Sequence, residues 1–398
     1  MTAKRSSSSE EIDNKAKKRK TVKEFDFSAH PKRKIALQFF YLGWEHDGLV
    51  QQPNNENTVE HHLMLAFLKT KLIEDWASCE LSRCGRTDKG VSAFKQTIAL
   101  TVRSNSPAHN GVFWSENTPE SVKTSYKNKE EELPYIKMLN GVLPKSIRVF
   151  GWASVDKEFN ARFDCNRRSY KYAFARADLD LEKMRDGASR LVGEHDFSNF
   201  CQIDMNEKRL EQSYIRRIYS IEVQEVSQSG SRREYDMIEL TVTGSGFLWH
   251  MIRFIVTVLQ EIGRGNEEPE LVSEMLDLTK YESRPQYTLA SDTPLCLFDC
   301  RYDNSELEWK IDETVMGATI AGVQKTWAAY QARSRMMENM LGELTKMAPT
   351  VNVTKGLHEF VQDRPIPTNY VKFAKRDRCE SLKSKKEKLA AIKASKME

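Results

Sequence analysis

Between Gly244 and Leu259 the chain reads Gly-Ser-Gly-Phe-Leu-Trp-His-Met-Ile-Arg-Phe-Ile-Val-Thr-Val-Leu, a run apolar nearly all round that nevertheless holds an arginine. The pattern predicts a helix, begun near Ser245-Gly246 and stopped by Gly263. A helix that is apolar on every side must be buried. One polar stripe runs along it, His250, Arg253, Thr257 and Gln260, at spacings of three, four and three. A buried guanidinium cannot lose its proton, and unpaired it costs several kcal/mol. Arg253 therefore requires an anion from elsewhere in the chain, and a bidentate carboxylate is the usual solution.

The best candidate stands in Ser82-Arg83-Cys84-Gly85-Arg86-Thr87-Asp88-Lys89-Gly90-Val91-Ser92-Ala93. Asp88 lies between Arg86 and Lys89 in a turn bounded by Gly85 and Gly90. The residues that follow, Gln96 to Val102, alternate apolar and polar as a half-buried strand does. A carboxylate is thus offered from a tight loop at the mouth of a sheet. Flanking cations favour its ionised form, and an ionised, fixed Asp can serve as nucleophile or electrostatic stabiliser. A plain Asp-Lys-Gly turn with a solvated arginine accounts for the same residues. The phosphate-loop spacing G-x-x-x-x-G-K-[ST] is absent.

A third stretch interleaves charge with rings. Phe159-Asn160-Ala161-Arg162-Phe163 precedes Arg167-Arg168-Ser169-Tyr170-Lys171-Tyr172-Ala173-Phe174. Tyr170, Tyr172 and Phe174 share one strand face, as core residues do. Basic residues among aromatics also suit base stacking and phosphate contact. The adjacent His195-Asp196 pair does not make an acid–base couple, because neighbouring residues on an element do not face each other. Asp196 reads as a cap and His195 as a local hydrogen-bonding group.

Gly85-Arg86-Thr87-Asp88-Lys89-Gly90-Val91 closely resembles the signature of the TruA family of tRNA pseudouridine synthases. Phe159-x-Ala-Arg162 with Tyr170-x-Tyr172 resembles the family's second motif. The stretch from Gly244 through Phe247 to Arg253 resembles its third. The resemblance covers about residues 33–303. Gly43-Trp44, Gly48, the insertion at 104–133 and the C-terminal extension resemble the eukaryotic branch acting on positions 38 and 39 of tRNA. The resemblance implies an α/β fold of two ferredoxin-like halves sharing a mainly antiparallel sheet, with the catalytic cleft between them, in a homodimer. It implies conversion of uridine to pseudouridine in the anticodon stem-loop of tRNA, with no cofactor and no metal. Asp88 is then the nucleophile, or the base that starts glycosidic cleavage. Arg253 forms an ion pair with Asp88, Tyr170 packs on the flipped uracil, and Arg86 enters the vacated space. Arg162 and Arg168 lie against the RNA. A catalytically idle tRNA-binding protein on the same fold is the competing reading.

Charge alone does not point to RNA. Residues 1–34 and 371–398 each carry +6, so against a net charge of +4 the body between them carries −8. A local basic cleft is needed. Residues 1–32 form a polar, basic tail with too few apolar groups to order it. Its cluster Lys15 to Lys20 is of nuclear-import type, giving an expected location in nucleus and cytoplasm. The synthase halves are expected at 33–154 and 155–303, with a partly disordered surface insertion at 104–133. A helical extension follows at 304–370, with Trp327, Met336, Met337, Met340 and Leu341 as packing residues. A basic helical tail occupies 371–398. Asn57 is expected to cap a helix running from Val59 to about Glu74, in a capping box with Glu60. No apolar run approaches the roughly 20 residues of a membrane helix. Seven cysteines include no C-x-x-C pair, and Cys296 and Cys300 have no neighbouring His. They read as reduced, packed thiols without a zinc site.

Overall fold

The computed structural model describes residues 25–106, 108–127, 129–227, 233–302 and 307–395; the Lys15 to Lys20 cluster lies outside them. The chain opens with strand β1 (Lys32–Tyr41), whose apolar run is buried almost throughout, followed by helix α1 (Val59–Lys69). A two-residue strand β2 (Ser82–Arg83) leads into the Asp88 loop and then β3 (Ser92–Arg103). Next come β4 (Val112–Phe113), α2 (Glu120–Ser125), α3 (Tyr135–Asn140) and β5 (Ile147–Ser154). The second half carries β6 (Arg167–Ala175), α4 (Leu181–Ser189), β7 (Gly193–Asp196), α5 (Glu207–Glu211), β8 (Ile215–Ser227) and β9 (Met237–Gly244). It continues with α6 (Met251–Gly263), α7 (Glu270–Leu276) and β10 (Leu295–Arg301). Helices α8 (Glu313–Met347), α9 (Lys355–Gln362) and α10 (Leu382–Ala394) complete the chain.

Among the described residues ten strands join one sheet in the order β4-β1-β3-β10-β6-β9-β8-β7, with β5 also on β1 and β2 on β3. Every pairing is antiparallel except β10 with β3, which meet in parallel through Cys296–Ser92 and Leu297–Ala93. The expected mixed α/β fold with a shared, mainly antiparallel sheet is therefore present. Strand β10, last in the sheet by sequence, is the piece that joins the two halves. Two cores flank it. One gathers Ile35, Leu37, Phe39, Phe67, Ile98, Leu297 and Tyr302. The other gathers Tyr172, Phe174, Phe197, Phe200 and the α6 residues Ile252, Ile255, Val256 and Leu259. Tyr170 packs against both.

Four expectations need correction. Helix α6 begins at Met251, not near Ser245, because His250 adopts a left-handed backbone (φ 63°) that a continuous helix cannot include. The α1 cap is Thr58, whose side chain accepts from the His61 amide. Glu60 is instead buried, accepting from the Gln51 amide at 2.9 Å and pairing with Arg83. The insertion is tied down where it is described. β4 pairs with the start of β1, and Glu132 accepts from Arg33 Nη1, Ser104 Oγ and the Asn105 and Leu133 amides at 2.6–2.8 Å. Finally, the α8 residues expected to pack do not do so on the body: Trp327 is 62% exposed and Met337 58%, although Val315 joins the first core and Tyr330 meets Trp44 edge-on at 5.3 Å. The chain after α8, by contrast, folds back, burying Val361 of α9 and Phe373 of the tail in the second core.

Arg33 and Glu132 are 3% and 8% exposed, so deleting one strands the other without solvent. Glu132→Ala should destabilise the protein by about 3–5 kcal/mol, read as a lower urea midpoint. A loss under about 1 kcal/mol would mean the insertion is not anchored there.

Candidate active site

The Asp88 loop is built by close backbone approaches. A Cβ on Gly43 would lie 2.0 Å from the Val91 carbonyl oxygen, and one on Gly90, at φ 80°, would lie 2.6 Å from Asp292 Oδ1. Only glycine fits either place. Thr87 is buried and its hydroxyl meets the Tyr41 hydroxyl at 2.6 Å. The Leu49 amide donates to the Thr87 carbonyl and the Gly90 amide to the His46 carbonyl. The residue between these fixed points, Asp88, turns its carboxylate outward, with the side chain 35% exposed.

Two groups from the other half hold that carboxylate. Trp249 Nε1–H donates to Oδ1 at 3.3 Å, and His250 Nε2 lies 3.3 Å from Oδ2. Burial holds the His250 imidazole below its ordinary value of 6.5, against the pull of the Asp88 charge. A neutral ring facing a carboxylate must carry its proton on Nε2 to donate. Nδ1 is then left as a buried acceptor, and it has no partner. In the sequence His250 stands out only as one member of the polar stripe, and Trp249 only as part of the apolar run. The available signal was a Trp-His pair in the Gly-rich approach to a buried helix.

Arg253 does not make the expected ion pair. Its Nε donates to the Ala290 carbonyl at 2.6 Å, and among the described residues no carboxylate lies within 4.0 Å of it. The cause is the late start of α6, which sets Trp249 and His250 between the helix and Asp88. The polar stripe instead docks on the segment before β10, where Thr257 Oγ1 donates to the Thr288 carbonyl at 2.9 Å. Lys89 also leaves Asp88, pairing with Asp47 at 2.9 Å.

Tyr170 stands at the junction of the two cores on β6, half-buried, its ring edge-on to Phe247 at 5.1 Å. Burial raises its phenol well above the ordinary value, so the ring is neutral and offers an apolar face. Arg86 and Arg162 are exposed. Burial, then the neighbouring charges of Arg83, Arg162 and Arg209, lowers Arg86 below its ordinary value. Arg209 itself lies over the Trp249 ring at 4.2 Å. Arg162 lies over Phe163, which is 77% exposed. Like charges collected at the cleft supply the local basic surface that the net charge of the body does not. Arg168 is not part of that surface. Its guanidinium donates to the carbonyls of Arg162, Ser245, Cys84 and Cys165 at 2.7–3.4 Å, stitching the Asp88 loop to the second half.

A carboxylate clasped across two halves, a neutral ring face and a basic rim thus lie together at the cleft. Residues 188–303 match the family described as tRNA pseudouridine synthase. The chain is 68% identical over 379 residues to a probable tRNA pseudouridine synthase of Caenorhabditis elegans, covering 95% of this chain and 94% of the relative. It is 36% identical to the bovine tRNA pseudouridine(38/39) synthase, covering 92% and 78%, and 38% identical to that of Saccharomyces cerevisiae, covering 77% and 65%. The chain belongs to the TruA-type tRNA pseudouridine synthases.

The Trp249 indole N–H holds one Asp88 oxygen at 3.3 Å. Trp249→Phe keeps the ring and removes the donor. Turnover should fall about tenfold, the kinetic equivalent of roughly 1.4 kcal/mol, with unchanged melting temperature. Wild-type turnover would show that the donor does not position the carboxylate.

Proposed function

We propose that this protein isomerises uridine to pseudouridine at positions 38 and 39 of the tRNA anticodon stem-loop, with Asp88 initiating the reaction. The observation that carries this reading is the carboxylate itself. Asp88 is presented at the seam of the two halves, aimed by Trp249 and His250 and bordered by exposed Arg86, which pairs with no acid among the described residues. The C1′–N1 bond breaks, the uracil turns, and a C5–C1′ bond forms while the C5 proton leaves and N1 gains one. Nothing is oxidised or lost, so the residues' work is to extrude, hold and attack. A stacked uridine must first leave its helix. Arg86 fills the space it leaves, Tyr170 supports the uracil, and Arg162 with Phe163 meets the backbone. The basic segment Lys15 to Lys20 is proposed to direct nuclear import, with activity in nucleus and cytoplasm.

A homodimer is also proposed, and α8 supports it. Along this helix Met316, Ile320, Val323, Trp327, Tyr330, Met337, Leu341 and Leu344 recur at four, three, four, three, seven, four and three. That is the a/d seam of a coiled coil, and most of it is exposed. A second α8 is the surface that such a seam fits.

An anticodon stem-loop carrying 5-tritiated uridine at positions 38 and 39 tests the activity: wild type should release tritium to water. Asp88→Ala should abolish release while binding stays within a few-fold. Release by that variant at the wild-type rate would remove Asp88 from the chemistry, and no release by wild type would leave a binding protein. Sedimentation tests the dimer. Wild type should run as a dimer and the Trp327→Glu/Leu341→Glu variant as a monomer; a monomeric wild type would refute the seam.

A further inference from the structure

Three cysteines that no spacing relation connects come together in space. Cys84, Cys165 and Cys300 place their sulfurs within 4.8 Å of one another, and all three are buried. They arrive from separate pieces of chain. Cys84 stands four residues before Asp88, Cys165 in the turn that leads into β6, and Cys300 on β10. The lack of a His beside Cys296 and Cys300, which argued against zinc, has no bearing on this set.

A second observation is Arg168. This half-buried guanidinium makes four hydrogen bonds, all to backbone carbonyls, and two of those belong to Cys84 and Cys165. Among the described residues no carboxylate pairs with it. A cation withdrawn from water in this way calls for an anion nearby. The thiols beside it are the groups able to supply one, as thiolates.

We propose that Cys84, Cys165 and Cys300 form a binding site for a Zn²⁺ ion. Thiolate sulfur is the ligand that selects thiophilic d¹⁰ ions. Zinc–sulfur bonds of about 2.3 Å set ligand sulfurs about 3.8–4 Å apart, so the cluster needs to contract by at most about 1 Å from the separation seen here. Charge selects the divalent ion. Three thiolates, one Zn²⁺ and the Arg168 guanidinium sum to zero, whereas Cu⁺ would leave one buried negative charge uncompensated. The fourth position of the tetrahedron falls to a water molecule.

The ion would not take part in the reaction. It would pin the entrance of the Asp88 loop to the turn at 162–165 and to β10, the strand joining the halves, and so hold the loop against the pull of a bound RNA. This rests on the reading of Asp88 only for its consequence. Metal binding can be measured without substrate.

Full-length protein purified anaerobically with reductant, stripped, and reloaded with Zn²⁺ or Cu⁺ in separate arms decides the matter. After desalting, wild type should retain one Zn²⁺ per chain and melt at a higher temperature than the stripped protein. Cys84→Ala and Cys165→Ala should lose both effects. Cd²⁺ added to stripped wild type should give thiolate-to-metal charge-transfer absorption of three-sulfur intensity, a readout independent of whether the variants fold. Three outcomes would overturn the proposal: a wild type that retains no Zn²⁺, retention of Cu⁺ alone, or Zn²⁺ held equally by the variants. In the first case the three thiols are simply packed core residues.

Discussion

The site depends on one contact between halves. Asp88 belongs to a loop of the first half, yet its carboxylate oxygens are met by Trp249 and His250 of the second, each at 3.3 Å. A carboxylate held from one side only would swing with its loop. Held from across a seam, it stays aimed as long as the halves stay in register. The architecture secures that register three times over. β10 is paired to both halves, Arg168 binds carbonyls on either side, and Tyr170 packs on both cores.

The cost of this arrangement is local. His250 sits at φ 63°, a conformation that strains a residue with a Cβ by about 1–3 kcal/mol, and its Nδ1 is buried without a partner. Strain of this sort survives where the surroundings over-determine it. Here it delays α6 by the six residues that carry the tryptophan and the histidine to the cleft. The burial of the ring keeps it neutral, so that it donates to Asp88 without cancelling the charge.

Much of this was legible beforehand. Alternation from Gln96 to Val102 located β3, and the long apolar run before Gly263 located the buried helix α6. The demand of a buried arginine for an anion pointed from α6 to Asp88, but Arg253 finds the Ala290 carbonyl, and it is the two residues just before α6 that meet the carboxylate. Nothing in the apolar periodicity distinguishes Leu248-Trp249-His250 from the helix that follows, because a single left-handed residue leaves no mark on hydrophobicity. The same limit hid the cysteine cluster: Cys84, Cys165 and Cys300 meet only because β10 inserts between β3 and β6, a long-range pairing that no local pattern encodes. Arg168 looked like its exposed neighbours Arg162 and Arg167 because strand alternation does not tell which arginine turns back to collect carbonyls. The α8 residues were read as packing, and periodicity cannot say whether the partner surface is the same chain or another.

The central claim is that Asp88 starts the chemistry, with the rest of the site serving to aim it. The most direct test is single-turnover pseudouridine formation by Asp88→Asn, which keeps the size of the side chain and removes its charge, with tRNA binding and melting temperature measured on the same sample. The account predicts wild-type binding and melting with the rate reduced at least about 10³-fold. A rate within about tenfold of wild type would contradict it.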